Sequence, residues 1–518
     1  MNTKLHKLSE FHLSLLFTFL IGTIFAITRL WRLSTIPSGF HVDEASMAYS
    51  AWCLSQYGVD RYLCSWPVYL MNFGGGQSVL YAYLLAGLFK IFGFHYILIR
   101  IPSVIFSLFN LIFGMGIIRM IYPEHKYAPY ISGILIAICP YFIMAGRLGL
   151  DCNLMLGCST IFLYCFLKAI TSEKKRWYFA AGVSGGILLY SYALSYVMLP
   201  VFLLSAFVYT IVVRRFSFPK WLLMAVPMGI LAFPLILEQI VNIFDLEPFQ
   251  LGIFTITKME HNRASEFTLF RLEYLKAAIQ NLFVGDTLPY NSIPGFPNLY
   301  WLSVPLALAG LIGAFRTFLS SVRRRTLSPV SLLLFWFLIV FLVICHVIPG
   351  IGRMNGIFFT YVFLVTEGIL LLKKLKKPAA QFVSVTIAVL FLFGFTRFFS
   401  YYYTGKYTAD TYPLPYFDVC VTEAVDFIEA NPQYGPKGAQ MAEVPVFLGL
   451  SMLRPPAELR LFDQDLYVLD YYHCSNLGLI EDGYYYIVRS NFKEYAEQLR
   501  AEGFTEIAYT GYSLFYRE

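Results

Sequence analysis

The sequence predicts an all-α polytopic membrane protein of about 11 transmembrane helices, with further helices lying in the outer interface and a small α/β domain outside at the C-terminal end. Three observations carry this reading. Of 518 residues, 58% are apolar and only 14% charged, where a soluble protein has about 25% charged residues to solvate its surface. The apolar residues gather in runs of roughly 20, the length that crosses a hydrocarbon core about 30 Å thick. The basic residues sit in short clusters between alternate runs, the mark of cytoplasmic loops. The net charge of +7 therefore implies no nucleic-acid partner, and an ordinary soluble enzyme or a disordered scaffold is excluded.

Spans are expected near 11–30, 97–118, 127–146, 152–168, 178–195, 197–213, 221–240, 299–315, 329–348, 355–372 and 379–397. The first follows Lys4 and Lys7 like the start of a signal peptide. It is too long for that role and lacks a small-x-small cleavage site, so it reads as an anchor. Loops with Arg119/Lys126, Lys174/Lys175/Arg176, Arg214/Arg215/Lys220, Arg323/Arg324/Arg325 and Lys373/Lys374/Lys376/Lys377 mark the cytoplasmic side. An odd span count then puts residues 398–518 outside. The domain reading is a transmembrane domain over 1–397 and an extracytoplasmic domain over 398–518.

Two outer loops, about 31–96 and 241–298, exceed the length of simple connections and read as functional. The first holds aromatic amphipathic segments at 44–57 and 77–92, suited to interfacial helices. Between them "MNFGGGQS" (71–78) reads as a turn or a place of close backbone approach. In the tail, 418–430 and 491–502 have helical periodicity, whereas 484–489, 505–509 and 512–517 alternate like strands. Cys53/Cys64 and Cys420/Cys474 share outer segments where disulfides are permitted, though free thiols fit equally well. No spacing argues for a metal.

The chemistry-bearing residues cluster at the outer ends of spans. "GFHVDEASMAYSAW" places Asp43 and Glu44 about a dozen residues beyond the first span. Two readings fit them: an N-cap for the helix that follows, and a carboxylate taking a proton from a hydroxyl nucleophile. "YFIMAGRLGLDCNLM" holds Arg147 and Asp151, either a helical i,i+4 pair or charges facing a cavity. "CHVIPGIGRMNG" holds His346 and Arg353, the sole basic residue of a short outer loop. A phosphate suits Arg353, because guanidinium binds phosphate bidentately; snorkelling to headgroups is the plainer reading. In the second long loop, Lys258, His261, Asp286, Tyr290 and Asn291 combine polar and aromatic groups as a sugar site does, or as turns do.

With these pieces in place, the chain resembles the type C membrane glycosyltransferases, and more narrowly the bacterial members of the protein O-mannosyltransferase and lipid A aminoarabinose transferase group. The resemblance rests on the early Asp43-Glu44 pair in a long outer loop, on "RLGLDCNLM" and "IGRMNGIFF", and on many spans followed by an outer domain. It is clearest over 1–200, looser to 397 and absent from the tail. It implies transfer of a sugar from a polyprenyl-phosphate carrier to a glycan, lipid or protein acceptor, with inversion, on the outer face of the cell membrane. By resemblance Asp43 is the general base and Glu44 its support; by location Arg147 and Arg353 are assigned to the donor phosphate. Asp151, Lys258, His261, Asp286, Tyr290, Asn291 and His346 are the wider substrate-binding set. No cofactor and no metal is assigned, and the resemblance leaves a divalent ion open. A transporter, flippase or polymerase of polyprenyl-linked glycans is the competing class, and Glu367 inside the tenth span is the feature that favours transport.

Overall fold

A computed structural model describes residues 2–72, 75–260, 267–286, 291–293, 296–372, 376–404, 417–418, 420–441, 445–459, 472–473 and 478–518. Among them eight helices are long and apolar enough to cross a membrane: His12–Leu30, Tyr96–Ile121, Asp151–Ser172, Ser195–Val212, Phe218–Ile243, Ser303–Arg324, Ile351–Leu371 and Lys377–Tyr403. Each coincides with a predicted span. The other three predicted spans fall on shorter helices. Lys175–Leu189 and Pro329–Ile344 have 15 and 16 residues. The third predicted span is broken: helix Ala128–Ile138 stops at Cys139, and Pro140–Ala145 restarts after it. Proline pushes the residue before it out of the α region, and Cys139 is extended at φ −67°, ψ 129°.

The chain forms two compact units. The first comprises Met1–Leu33, Arg100–Phe233 and Ala264–Thr404. Its centre is helical: 78% of the Asp151–Ser172 window and 83% of the Ile351–Leu371 window is buried, against 11% for Lys377–Tyr403, which leaves its apolar side chains for lipid. Helices Ser303–Arg324 and Phe358–Leu371 cross at backbone contact. A Cβ on Gly310 would lie 1.9 Å from the Leu364 carbonyl oxygen, and one on Gly368 would lie 2.0 Å from that of Leu306. One glycine on each helix permits this approach where lipid offers no hydrophobic drive.

The second unit comprises Ser34–Ile99, Pro234–Arg263 and Gly405–Glu518, so most of the first long loop and the start of the second, as far as Arg263, share it with the tail. Helices Val42–Tyr57 and Leu80–Phe92 stand where interfacial helices were expected. The glycine-rich stretch is a β-hairpin rather than a plain turn, with Leu70–Asn72 antiparallel to Gly75–Gln77. Its close approach is to a side chain: a Cβ on Gly76 would lie 2.0 Å from the Tyr69 ring. A second hairpin pairs Phe249–Leu251 with Phe254–Ile256. It is tied to the first loop by Val68 N–H donating to the Thr255 carbonyl at 2.9 Å and Thr257 Oγ1 donating to that of Tyr69 at 2.9 Å.

The tail carries a five-stranded sheet. Tyr484–Arg489 pairs antiparallel with Tyr512–Tyr516, which pairs with Thr505–Tyr509. On its other side Tyr484–Arg489 runs parallel to Gly438–Met441, which pairs with Tyr472–His473. Helices Thr422–Ala430 and Lys493–Ala501 bury Val425, Ile428 and Leu499 in its two cores.

Candidate functional site

Helix Val42–Tyr57 opens with a capping box. His41 is its N-cap: the Asp43 N–H donates to His41 Nδ1 at 3.0 Å, and the His41 N–H donates to Glu44 Oε2 at 3.0 Å. The box satisfies orphan donors of the first turn reciprocally. The capping role considered for Asp43 thus belongs to His41 and Glu44, and Glu44 is fully buried in performing it. Because Nδ1 accepts, the His41 imidazole is neutral with its proton on Nε2. Burial holds it below its ordinary pKa range, outweighing the opposing pull of Asp43 and Glu44.

Asp43 lies one position past the helix start with 38% of its side chain exposed. Its Oδ1 accepts from Asn72 Nδ2 at 3.0 Å. Its Oδ2 lies 3.6 Å from His41 Nδ1, a nitrogen that is itself an acceptor. Among the described residues, no donor reaches Oδ2. Behind Asn72 stands a buried polar group. Asn72 Oδ1 accepts from Ser46 Oγ at 2.6 Å and from Arg61 Nη2 at 3.0 Å, and Arg61 Nη1 also donates to Ser46 Oγ. Arg61 is 2% exposed and stacks over the Tyr62 ring at 4.9 Å. Neighbouring Asp60 is fully buried; its Oδ1 accepts the N–H groups of Tyr62 and Cys64, both at 2.9 Å. Burial pushes its pKa up to about 6.

Sequence reasoning missed His41, Ser46, Arg61 and Asn72. Arg61 carried the signal applied to Arg353, a cation in an outer loop poor in basic residues. The others carried none, since only folding brings residue 72 to residue 43. In the same unit Lys258 pairs with Asp245, Nζ to Oδ1 at 2.9 Å. His261 lies outside the described residues, as does Tyr290 of the other unit. Cys53 and Cys64 are free thiols, and Cys474, the partner considered for Cys420, lies outside the described residues.

In the first unit Arg147 and Asp151 are not a helical i,i+4 pair. Arg147 sits in the turn after Pro140–Ala145, and Asp151 opens the next helix, its Oδ1 accepting the Cys152 N–H at 2.7 Å. Arg147 is fully buried. It donates from Nη1 to the carbonyls of Thr28 and Arg29 at 3.2 and 3.0 Å, and from Nη2 to that of Arg32 at 3.0 Å. These oxygens lie at or beyond the C-terminal end of helix Asn2–Leu30, where cations are favoured. In this geometry Arg147 closes a helix end, with Tyr402 and Tyr403 packed on its guanidinium.

Arg353 differs. It is partly exposed on the 3₁₀ segment Ile351–Ile357, with Nη1 donating to the Ile348 carbonyl at 3.1 Å. The remaining candidates hold this segment. Asp286 Oδ2 accepts the Ile351 N–H at 3.0 Å. Asn355 Nδ2 donates to the carbonyls of Cys152 and Gly352 at 2.7 and 2.8 Å, and its Oδ1 accepts from the Tyr141 hydroxyl. Asn291 bonds Asn153, Nδ2 to Oδ1 at 2.6 Å. Asp286 is 4% exposed and Asn291 fully buried; Asp286 supports the Arg353 segment, whereas Asn291 is tied to the Asn153 side chain. His346 Nδ1 lies 3.0 Å from the Thr268 carbonyl, which ties this loop to the neighbouring strand-like segment. Among the described residues, no group of three or more His, Cys, Asp or Glu side chains is placed to hold a metal ion.

Residues 77–237 match the model of a family described as dolichyl-phosphate-mannose-protein mannosyltransferase. The matched stretch includes Arg147 and Asp151, and Asp43 and Arg353 lie outside it. Among solved structures the chain is similar to ArnT from Cupriavidus metallidurans in the apo state, with TM-score 0.55 and 12% identity over 98% of both chains. It is also similar to ArnT from Cupriavidus metallidurans bound to undecaprenyl phosphate, with TM-score 0.54 and the same identity and coverage. The oligosaccharyltransferase of Archaeoglobus fulgidus tethered with an acceptor peptide matches with TM-score 0.51 and 12% identity, over 98% of this chain and 74% of that one. No curated protein matches the chain. The chain therefore has an ArnT-like, multi-pass membrane fold, and the resemblance to the type C glycosyltransferases is borne out.

Proposed function

We propose that this chain transfers a sugar from a polyprenyl-phosphate carrier to an acceptor hydroxyl, with inversion at the anomeric carbon, on the outer face of the membrane. The observation that carries the reading is the state of Asp43: one carboxylate oxygen is held by Asn72, and the other, on a side chain 38% exposed, receives no donor among the described residues. A base must keep an oxygen within reach of the proton it takes. In the proposed step the acceptor O–H gives its proton to Asp43 Oδ2 while its oxygen bonds the anomeric carbon. The bond from that carbon to the phosphate oxygen breaks, and its electron pair leaves with the polyprenyl phosphate. Charge develops on that phosphate, so a fixed cation lowers the barrier, and Arg353 is the candidate that retains exposure for the task. Arg147 has no part in this reading.

The likeness to a solved protein that binds undecaprenyl phosphate supports a lipid-phosphate donor. The basic loops of the sequence support a cytoplasmic N-terminus, eleven crossings and an outer location for residues 398–518. The deciding experiment incubates purified full-length protein with a panel of radiolabelled polyprenyl-phosphate hexoses and pentoses and a cell-envelope extract as acceptor. Label moving covalently from lipid to acceptor supports a transferase. Intact labelled lipid moving between leaflets of a vesicle, with no covalent transfer, would make the chain a transporter.

A further inference from the structure

We infer that Asn72 is a positioning residue for Asp43, and that Arg61 fixes the direction in which the Asn72 amide faces. The inference rests on the reading of Asp43 as the base. A side-chain amide can be turned over, exchanging its donor and acceptor ends. Here the acceptor end is determined: Asn72 Oδ1 receives Arg61 Nη2 at 3.0 Å and Ser46 Oγ at 2.6 Å. Guanidinium has no acceptor, so the flipped amide would set N–H against N–H in a buried site. The Nδ2 end is therefore committed to Asp43 Oδ1. Arg61, Ser46 and Asn72 are 2%, 2% and 8% exposed, so water does not take their place.

Two consequences follow for the chemistry. A hydrogen bond given to a carboxylate favours its ionised form, the form that accepts a proton. Holding Oδ1 also selects Oδ2 as the oxygen presented to the acceptor, and a fixed orientation is what converts an encounter into a reactive geometry. The hairpin gives Asn72 a firm base: its backbone pairs across to Gly75, and Gly76 is pressed against the Tyr69 ring. Among the described residues, the charged and titratable groups on the elements around Asp43 include His41, Glu44, Asp60 and Arg61, with Tyr49, Cys53 and Tyr57 on its own helix and Asp418 on the strand paired with Phe40–His41. Of the packed helices, Leu80–Phe92 adds Lys90, Tyr81 and Tyr83, and Pro445–Met452 adds none.

The test is a substitution that spares the fold. Asn72→Asp is nearly isosteric and keeps an acceptor for Arg61 and Ser46, while replacing the donor that faces Asp43 by a carboxylate oxygen. Infrared difference titration of the purified full chain follows carboxylate protonation without requiring turnover, and the Asp43 band is the one lost in Asp43→Asn. Its midpoint is expected to rise by about one pH unit or more in Asn72→Asp, and by less in Asn72→Ala, which removes the donor alone. The acidic limb of the kcat/KM profile should move the same way. An Asp43 midpoint unchanged in both variants overturns the inference. Because Asn72→Ala is read as well, loss of folding in Asn72→Asp does not remove the test. Should Asp43→Asn remain fully active, the reading of Asp43 as base falls; should it be inactive while the Asn72 variants leave the midpoint unmoved, only the positioning role falls.

Discussion

Adjacent carboxylates with opposite surroundings make the sharpest prediction. Glu44 is buried and receives the His41 N–H, whereas Asp43 is half-exposed and leaves Oδ2 open. Asp43→Asn keeps an amide oxygen for Asn72 Nδ2 and leaves the capping box intact, so its cost in stability should stay within about 0.5 kcal/mol, as for surface changes. It cannot take a proton. Loss of a general base costs typically 10²–10⁴-fold in rate, which is about 2.7–5.4 kcal/mol in the barrier. Glu44→Ala should behave the other way. It strands the buried His41 N–H, a loss of about 1–3 kcal/mol, and weakens the start of a helix that is buried from Glu44 to Ser55. Activity per folded molecule should fall far less than in Asp43→Asn. The assays are thermal unfolding in detergent and initial rates of label transfer from the polyprenyl-phosphate donor. Asp43→Asn turning over within tenfold of wild type would refute the argument. So would Glu44→Ala keeping full stability while losing activity, which would exchange the two roles.

Arg353→Lys should raise the donor KM by roughly ten- to a hundredfold, because a charge-assisted hydrogen bond is worth about 1.5–3 kcal/mol and ammonium cannot make the two-pronged contact. Weakened acceptor and unchanged donor in separate titrations would contradict that role. Arg147→Met should lower stability by about 1–3 kcal/mol, the cost of leaving buried carbonyls without a donor; a stable variant with weakened donor binding would return Arg147 to the phosphate. Burial pushes the Asp60 carboxyl up to a pKa of about 6, above the ordinary carboxylate range, so the folded state keeps a proton that the unfolded chain releases. Its contribution is complete below about pH 4 and is lost as pH rises through about 6, on the order of 3 kcal/mol. Asp60→Asn should flatten that part of the stability profile measured from pH 4 to 7, and parallel profiles would count against the assignment. A reporter active only outside should work when fused after Glu518 and fail when inserted after Arg325; the reverse pattern would invert the topology.

Arg147 shows what reading by position leaves open. At the end of a span, an arginine facing a lipid phosphate and one closing a helix end look alike in sequence. What separates them is the placement of the Thr28, Arg29 and Arg32 carbonyls more than a hundred residues away. Asp286 and Asn291 make the same point, since Asp286 receives a backbone N–H of the segment that carries Arg353 and Asn291 bonds the side chain of Asn153.

What the sequence determined by itself is whatever local physics decides. Spans follow from runs of apolar residues against a fixed bilayer thickness. The tail strands at 484–489 and 505–509 follow from alternation, whereas the reading of 127–146 as one span passed over the break that Pro140 causes at Cys139. Tertiary structure decided everything that depends on which distant backbone comes near. It made the glycine-rich stretch a hairpin, because residues 70–72 found partners at 75–77. It gave the helix cap to His41 and Glu44, and left Asp43 with one oxygen held by Asn72 and the other open. Hydrogen bonds act over about 3 Å, whereas sequence fixes neighbours only along the chain, so the assignment of donors to acceptors waits for the fold.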